Sequence, residues 1–124
     1  MRSAHRPDAG FTLIELLVVT SIIGTLAAIA IPQFADRQGK AFDARVISDV
    51  RNAALAEEAV YDDDGEYQEG ECVDLPGIRG SAGVACQIAV SGDVFTVSAS
   101  HPSALKKCTW RNDTVPSLTC AAAS

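Results

Sequence analysis

Histidine is scarce in this 124-residue chain: there are two, His5 and His101. His101 stands alone before Pro102, no glycine-rich phosphate loop is present, and nothing places the many Ser and Asp residues as a triad. The sequence holds no catalytic constellation, so no enzyme is expected. Basic residues are also short. Ten Lys and Arg stand against sixteen Asp and Glu, a formal net charge of −6. That argues against general nucleic-acid binding, which draws most of its affinity from a basic surface. Internal repeats and collagen-like or disordered composition are missing. So is any Cys-x-x-Cys pair: Cys72, Cys86, Cys108 and Cys120 are separated by 14, 22 and 12 positions. This spacing argues against zinc, and four cysteines in so short a chain suggest two disulfides and an oxidising compartment. No cofactor and no metal are expected. The length supports one modest core, not two.

Charge is scarcest near the amino terminus. Across the 21 residues from Phe11 to Ile31, Glu15 is the only formal charge. As a helix this run spans roughly 31 Å, about the hydrocarbon thickness of a bilayer. The preceding MRSAHRPDAG sets Arg2 and Arg6 against Asp8, a mildly basic segment expected on the cytoplasmic side. One plain reading is a cleaved secretory signal, for which Ala28-x-Ala30 offers a small-residue site; another is a simple membrane anchor. Glu15 fits neither. An ionisable group inside an apolar helix is costly unless paired, and so points to function.

Gly10 is followed by FTLIELLVVTSIIGTLAAIAIPQF. A short basic leader, a glycine before phenylalanine, a glutamate four residues later, an apolar helix and Pro32 near its end come together over about residues 5 to 42. This combination resembles the type IV pilin family, including the pseudopilins of type II secretion. The resemblance implies cleavage between Gly10 and Phe11 by a prepilin peptidase, then N-methylation of Phe11, with the apolar segment retained. Cleavage leaves an ammonium on Phe11, with Glu15 one turn away, about 6 Å along the axis. Buried charges are tolerable when paired, so Glu15 is expected to seek an ammonium. The resemblance implies that of a neighbouring subunit, which sets the axial register of assembly. An intrasubunit pair or a protonated Glu15 are the alternatives. Pro32 removes a hydrogen bond to the Ala28 carbonyl, and Gly24 weakens the helix by about 1 kcal/mol relative to alanine. A kink near Pro32 is expected, and the segment Gly24 to Pro32 is the favoured place for helix melting; otherwise both residues merely shape membrane packing.

From Phe34 to Tyr61 the pattern is amphipathic, with Phe42, Val46, Ile47, Val50, Ala53, Ala54, Val60 and Tyr61 at helical spacings. Asp43, Asp49 and Glu57 are read with the charged residues that fill the rest, and Asp36 is expected to pair with Lys40. The helix should end near Tyr61 or Asp62, where aspartates oppose its dipole and Gly65 follows. Seven acidic residues and no basic ones lie between Asp62 and Asp74. The default is a solvated acidic face; a calcium site is the alternative, without EF-hand spacing. Period-two alternation predicts strands over 84–90, 94–99 and 105–111, a fourth near 115–119, a hairpin at Ser91-Gly92-Asp93 and a turn at His101-Pro102-Ser103.

The expected fold is α+β: a long amino-terminal helix, transmembrane below and amphipathic above, packed on a small antiparallel head. Its parts are a leader at 1–10, a membrane or filament-core helix at 11–33, the amphipathic half at 34–62, and an acidic loop with sheet at 63–124. The cysteines permit three pairings. The resemblance favours Cys108 with Cys120, closing a terminal loop as in many pilins, and Cys72 with Cys86.

The function implied is a structural subunit of a type IV pilus, serving adhesion, twitching motility or DNA uptake. A type II secretion pseudopilin in a periplasmic pseudopilus is the second reading, and a monomeric tethered binding module a third. The partners implied are further copies of the chain, the prepilin peptidase and N-methyltransferase, and the pilus assembly platform with its ATPase. The inner membrane holds the single-pass precursor, and the assembled fibre meets extracellular surfaces or DNA. Lys106, Lys107, Trp110 and Arg111 form a candidate DNA contact, against a lysine-guarded strand edge. Phe11, Phe34, Phe42, Tyr61 and Tyr67 are a remoter candidate for electron conduction. Asn112-Asp113-Thr114 is a formal glycosylation sequon.

Overall fold

A computed structural model describes residues 10–123. The expected leader, apart from Gly10, therefore lies outside the described residues. One helix, α1 (Leu13–Asp64), is followed by five strands: β1 (Gly70–Glu71), β2 (Ala85–Ser91), β3 (Val94–Ser100), β4 (Lys106–Arg111) and β5 (Leu118–Ala122). A 3-10 turn over Cys72–Asp74 follows β1. The strands form one antiparallel meander in chain order. The architecture is α+β and pilin-like.

Helix α1 has 52 residues, and its helical assignment runs through Gly24 and Pro32. Two compact units divide between Ala35 and Asp36. In the amino-terminal unit α1 buries almost nothing of itself.

The head unit begins at Asp36. Here Val46, Val50, Ala53, Ala54 and Val60 of α1 join a buried cluster with Ile88 of β2, Phe95, Val97 and Ala99 of β3, and Cys108 of β4. Strand β3 shows why the sheet has an inner face: alternate residues Phe95, Val97 and Ala99 are buried, and those between them are half-exposed. Gly92 (φ +61°) and Asp93 turn β2 into β3, with Ser91 opposite Val94. Close approach is required at Gly39, where a β-carbon would lie 2.7 Å from Leu105 Cγ.

Four departures from the sequence reading have physical causes. The helix runs on to Asp64, where Gly65, at φ +77°, donates its N–H to the Tyr61 carbonyl at 2.8 Å and caps it. The last strand is Leu118–Ala122, beyond Pro116, whose nitrogen has no hydrogen to give a ladder. Strand β1 is too short, at two residues, to show alternation.

The fourth departure concerns acids on the inner face of α1. Asp43, Asp49 and Glu57 are buried. Asp43 Oδ1 accepts from the backbone N–H groups of Leu105 at 2.7 Å and Lys106 at 2.8 Å. Asp49 accepts from the Ser81 N–H and hydroxyl, both at 2.8 Å. Glu57 Oε1 accepts from the Gln68 N–H, while its Oε2 has no partner among the described residues. These carboxylates fix three loops to the helix by satisfying their backbone donors. Burial pushes the Glu57 carboxyl above the usual carboxylate range.

Candidate assembly site on the amino-terminal helix

Thr12 and Glu15 begin α1 as a reciprocal pair. The Glu15 Oε2 accepts from the Thr12 backbone N–H at 2.9 Å and from its hydroxyl at 2.8 Å. In return the Glu15 N–H points to Thr12 Oγ1 at 3.3 Å. This is the capping box written as Thr12-x-x-Glu15, which reading the sequence for charge alone passed over. The box uses only Thr12 and Glu15, so removal of everything before Phe11 leaves it intact. Both bonds from Thr12 fall on Oε2, which leaves Oε1 for a further donor. Phe11, Ile14, Glu15, Val18 and Val19 line a shallow groove of about 440 Å³.

Around and above the box the segment carries large apolar side chains on every side, with Thr20, Ser21 and Thr25 between them. Phe11 is 87% exposed and Leu13 88%, and the large apolar residues continue exposed through Ile31 and Phe34. The helix is long and apolar enough to cross a membrane. Its hydroxyls suit such a setting: Thr20 Oγ1 donates to the Leu16 and Leu17 carbonyls, each at 3.0 Å, and Thr25 Oγ1 to the Ile22 carbonyl at 2.9 Å. No lone hydroxyl donor at Thr20 or Thr25 faces hydrocarbon.

Residues 5–31 match the family model described as the prokaryotic N-terminal methylation motif. The chain is similar to the fimbrial protein of Pseudomonas aeruginosa, 50% identical over 54 residues, which is 44% of this chain and 35% of that protein. It is similar to the type IV major fimbrial protein FimA of Dichelobacter nodosus, 46% identical over 63 residues, 51% of this chain and 39% of that protein. It is also 36% identical over 85 residues to the fimbrial protein of Neisseria meningitidis serogroup B, covering 67% of this chain and 44% of that protein. Over its amino-terminal part the chain is similar to type IV pilins. It spans less than half the length of these curated relatives.

The other candidate residues of the sequence take up different positions. Gly10, Phe11 and Glu15 lie together at the start of α1, and Gly24 and Pro32 lie within it. Cys72 is bonded to Cys86, and Cys108 to Cys120. The second bond joins directly opposed residues of β4 and β5. The basic quartet is not gathered on one face. Lys106 and Trp110 share a face of β4 with buried Cys108, and Trp110 packs on the core; Lys107 and Arg111 alternate to the other. Arg111 makes a two-pronged bond to Asp113, Nε to Oδ1 and Nη2 to Oδ2, each 2.9 Å. That guanidinium holds the Asp113 carboxyl below its usual range.

Of the aromatics, Tyr61 stacks on Tyr67 at 4.4 Å between centroids, and Tyr67 tilts onto Phe95 at 4.8 Å. Phe42 stacks on His101 at 4.1 Å, which gives that histidine a packing role. Asn112, the sequon residue, is a clamp. Its Oδ1 accepts from the Phe95 N–H at 3.1 Å, and its Nδ2 donates to the Asp93 carbonyl at 2.9 Å. Among the described residues no three His, Cys, Asp or Glu side chains are grouped to hold a metal.

Proposed function

We propose that the chain is a structural subunit of a type IV pilus, held in a membrane by α1 and then packed through α1 against copies of itself. The observation that carries this reading is the fully exposed apolar surface from Phe11 to Phe34, opened by a single carboxylate. Burying a large apolar side chain is worth about 1.5–3 kcal/mol, so more than ten of them together are worth tens of kcal/mol. Water is therefore no alternative for this segment. Membrane and self-packing are the two environments that cover it, and assembly exchanges one for the other. The heads then face solvent.

Processing follows the matched motif: a prepilin peptidase cuts between Gly10 and Phe11 and the new amine of Phe11 is N-methylated. Glu15, already set at the helix start by Thr12, takes the ammonium of a neighbouring subunit on Oε1 and fixes the axial step. Gly24 to Pro32 is the segment that loses helicity as copies pack. An assembly platform and its ATPase supply the extraction step, and the fibre serves adhesion, motility or DNA uptake.

Glu15→Leu tests the reading. As a subunit, the variant stays in the membrane and is missing from shear-released fibres. As a mere tether, it anchors at least as well and loses nothing, and that outcome refutes assembly through Glu15.

A further inference from the structure

We propose that the head carries two mutually complementary charged surfaces, a basic base and an acidic tip, through which axially staggered copies dock on one another. This rests on the filament reading and adds the contact that the heads make.

Charge in the head unit is sorted along α1. Arg37, Lys40, Arg45 and Arg51 are exposed along its lower part. Asp36 offsets Lys40 at the surface, while Arg37, Arg45 and Arg51 have no ion-pair partner among the described residues. Asp43 and Asp49 turn inward onto backbone donors, and Asp36 is tied to Lys40 at 2.7 Å. The Asp43 bonds also bring the start of β4 to this level, which adds exposed Lys106 and Lys107. From residue 52 to residue 78 there is no Lys, Arg or His. Over that span Glu58, Asp62, Asp63, Asp64, Glu66 and Glu69 are exposed.

The two signs lie on one stripe. At roughly 100° per residue, Arg37, Lys40, Arg51, Glu58 and Asp62 fall within about 60° of one another, on an exposed side of α1 that leaves out Val46, Val50 and Glu57. Leu55, 71% exposed, sits on this stripe where the sign changes. Lys40 and Asp62 are about 33 Å apart along the helix. At the tip, Tyr61, Glu66, Tyr67 and Asp93 line a cleft of about 410 Å³. Two carboxylates beside an aromatic face suit the cationic end of an arginine.

The occupant is a second copy of this chain. Copies carried in one membrane by the same helix point the same way. Side by side in register, acidic tips face acidic tips and basic bases face bases. Slid past one another by about 30 Å, the helix length between the two groups, the base of one meets the tip of the next. Both repulsions then become attractions. Exposed pairs are individually weak and screened beyond about 8 Å at physiological salt. The surfaces therefore select stagger and orientation more than they add affinity.

The test uses the full chain in an assembling host, with shear-released fibre compared against membrane-held, processed chain. Arg37→Glu with Arg51→Glu reverses the base; Glu58→Lys with Asp62→Lys reverses the tip; a third variant carries all four. Each pair alone should cut fibre yield by about tenfold, and the four together should restore most of it. A folding defect would not be rescued by reversing the opposite surface. Wild-type yield from either pair, or no recovery with all four, overturns the docking surfaces while fibres of the unaltered chain still uphold the filament reading. If the unaltered chain gives no fibre under the same conditions, the filament reading falls, and this contact with it.

Discussion

Replacing Asp43 with alanine removes one oxygen that holds two backbone donors. Leu105 and Lys106 both give their N–H groups to Oδ1, at 2.7 and 2.8 Å, in a buried setting. A hydrogen bond to a charged group contributes about 1.5–3 kcal/mol. Two sharing an acceptor are not additive, so a loss of about 2–4 kcal/mol is expected. In a head of this size each kcal/mol moves the melting point by about 4–8 °C, which places Asp43→Ala roughly 8–32 °C below wild type. Asp43→Asn keeps the acceptor and loses only its charge, so it should fall about 1 kcal/mol below wild type. The single Trp110, packed on the core of the same unit, reports unfolding by its fluorescence in detergent-solubilised full chain. An Asp43→Ala melt within experimental scatter of wild type would refute the claim that buried acids pin the loops. So would an Asp43→Asn loss as large as that of alanine.

Glu57 gives a prediction with the opposite sense. Its carboxyl is raised by burial, so the folded head binds its proton more tightly than the unfolded chain does. The associated stability is fully present below the ordinary carboxylate range and is lost as pH rises through the raised folded value. Glu57→Gln should flatten that slope and melt higher than wild type at neutral pH, in melts taken from about pH 4 to pH 7. Gly39→Val should cost about 1–3 kcal/mol by crowding Leu105. Leu105→Ala should recover much of that loss in the same denaturation assay. Cys108→Ser with Cys120→Ser opens a loop whose ends are 12 positions apart; by loop entropy it should destabilise the oxidised head by about 3 kcal/mol, and reductant should destabilise the wild type by more, because it opens Cys72–Cys86 as well.

The amino-terminal motif was legible because it is made of absences: a single charge in a long apolar run, bracketed by Gly10 and Pro32. The three central strands were legible from alternation, and their hairpin from Gly92-Asp93. What stayed hidden has one common cause. Asp43, Asp49 and Glu57 fall at apolar-stripe spacing, but a carboxylate reads as surface until the donors that face it are known. Those donors, at residues 68, 81, 105 and 106, come from far along the chain. The Thr12–Glu15 box is local and is written in the sequence as Thr-x-x-Glu, but Glu15 is also the single charge of an apolar run, and that charge masks its capping role. The pattern places the last strand near 115–119 because Val115 looks like a strand residue; Val115 is fully exposed, and Pro116 prevents a ladder there. Asn112 read as a sequon, and its clamp on Asp93 and Phe95 depends on a turn that only the folded sheet brings near.

Mass spectrometry of shear-released fibres tests the central claim most directly. The account predicts fibres built of this chain, each copy beginning at an N-methylated Phe11 and retaining α1 entire. A product beginning at Ile31, or a lone soluble head that has shed its apolar helix, would contradict it.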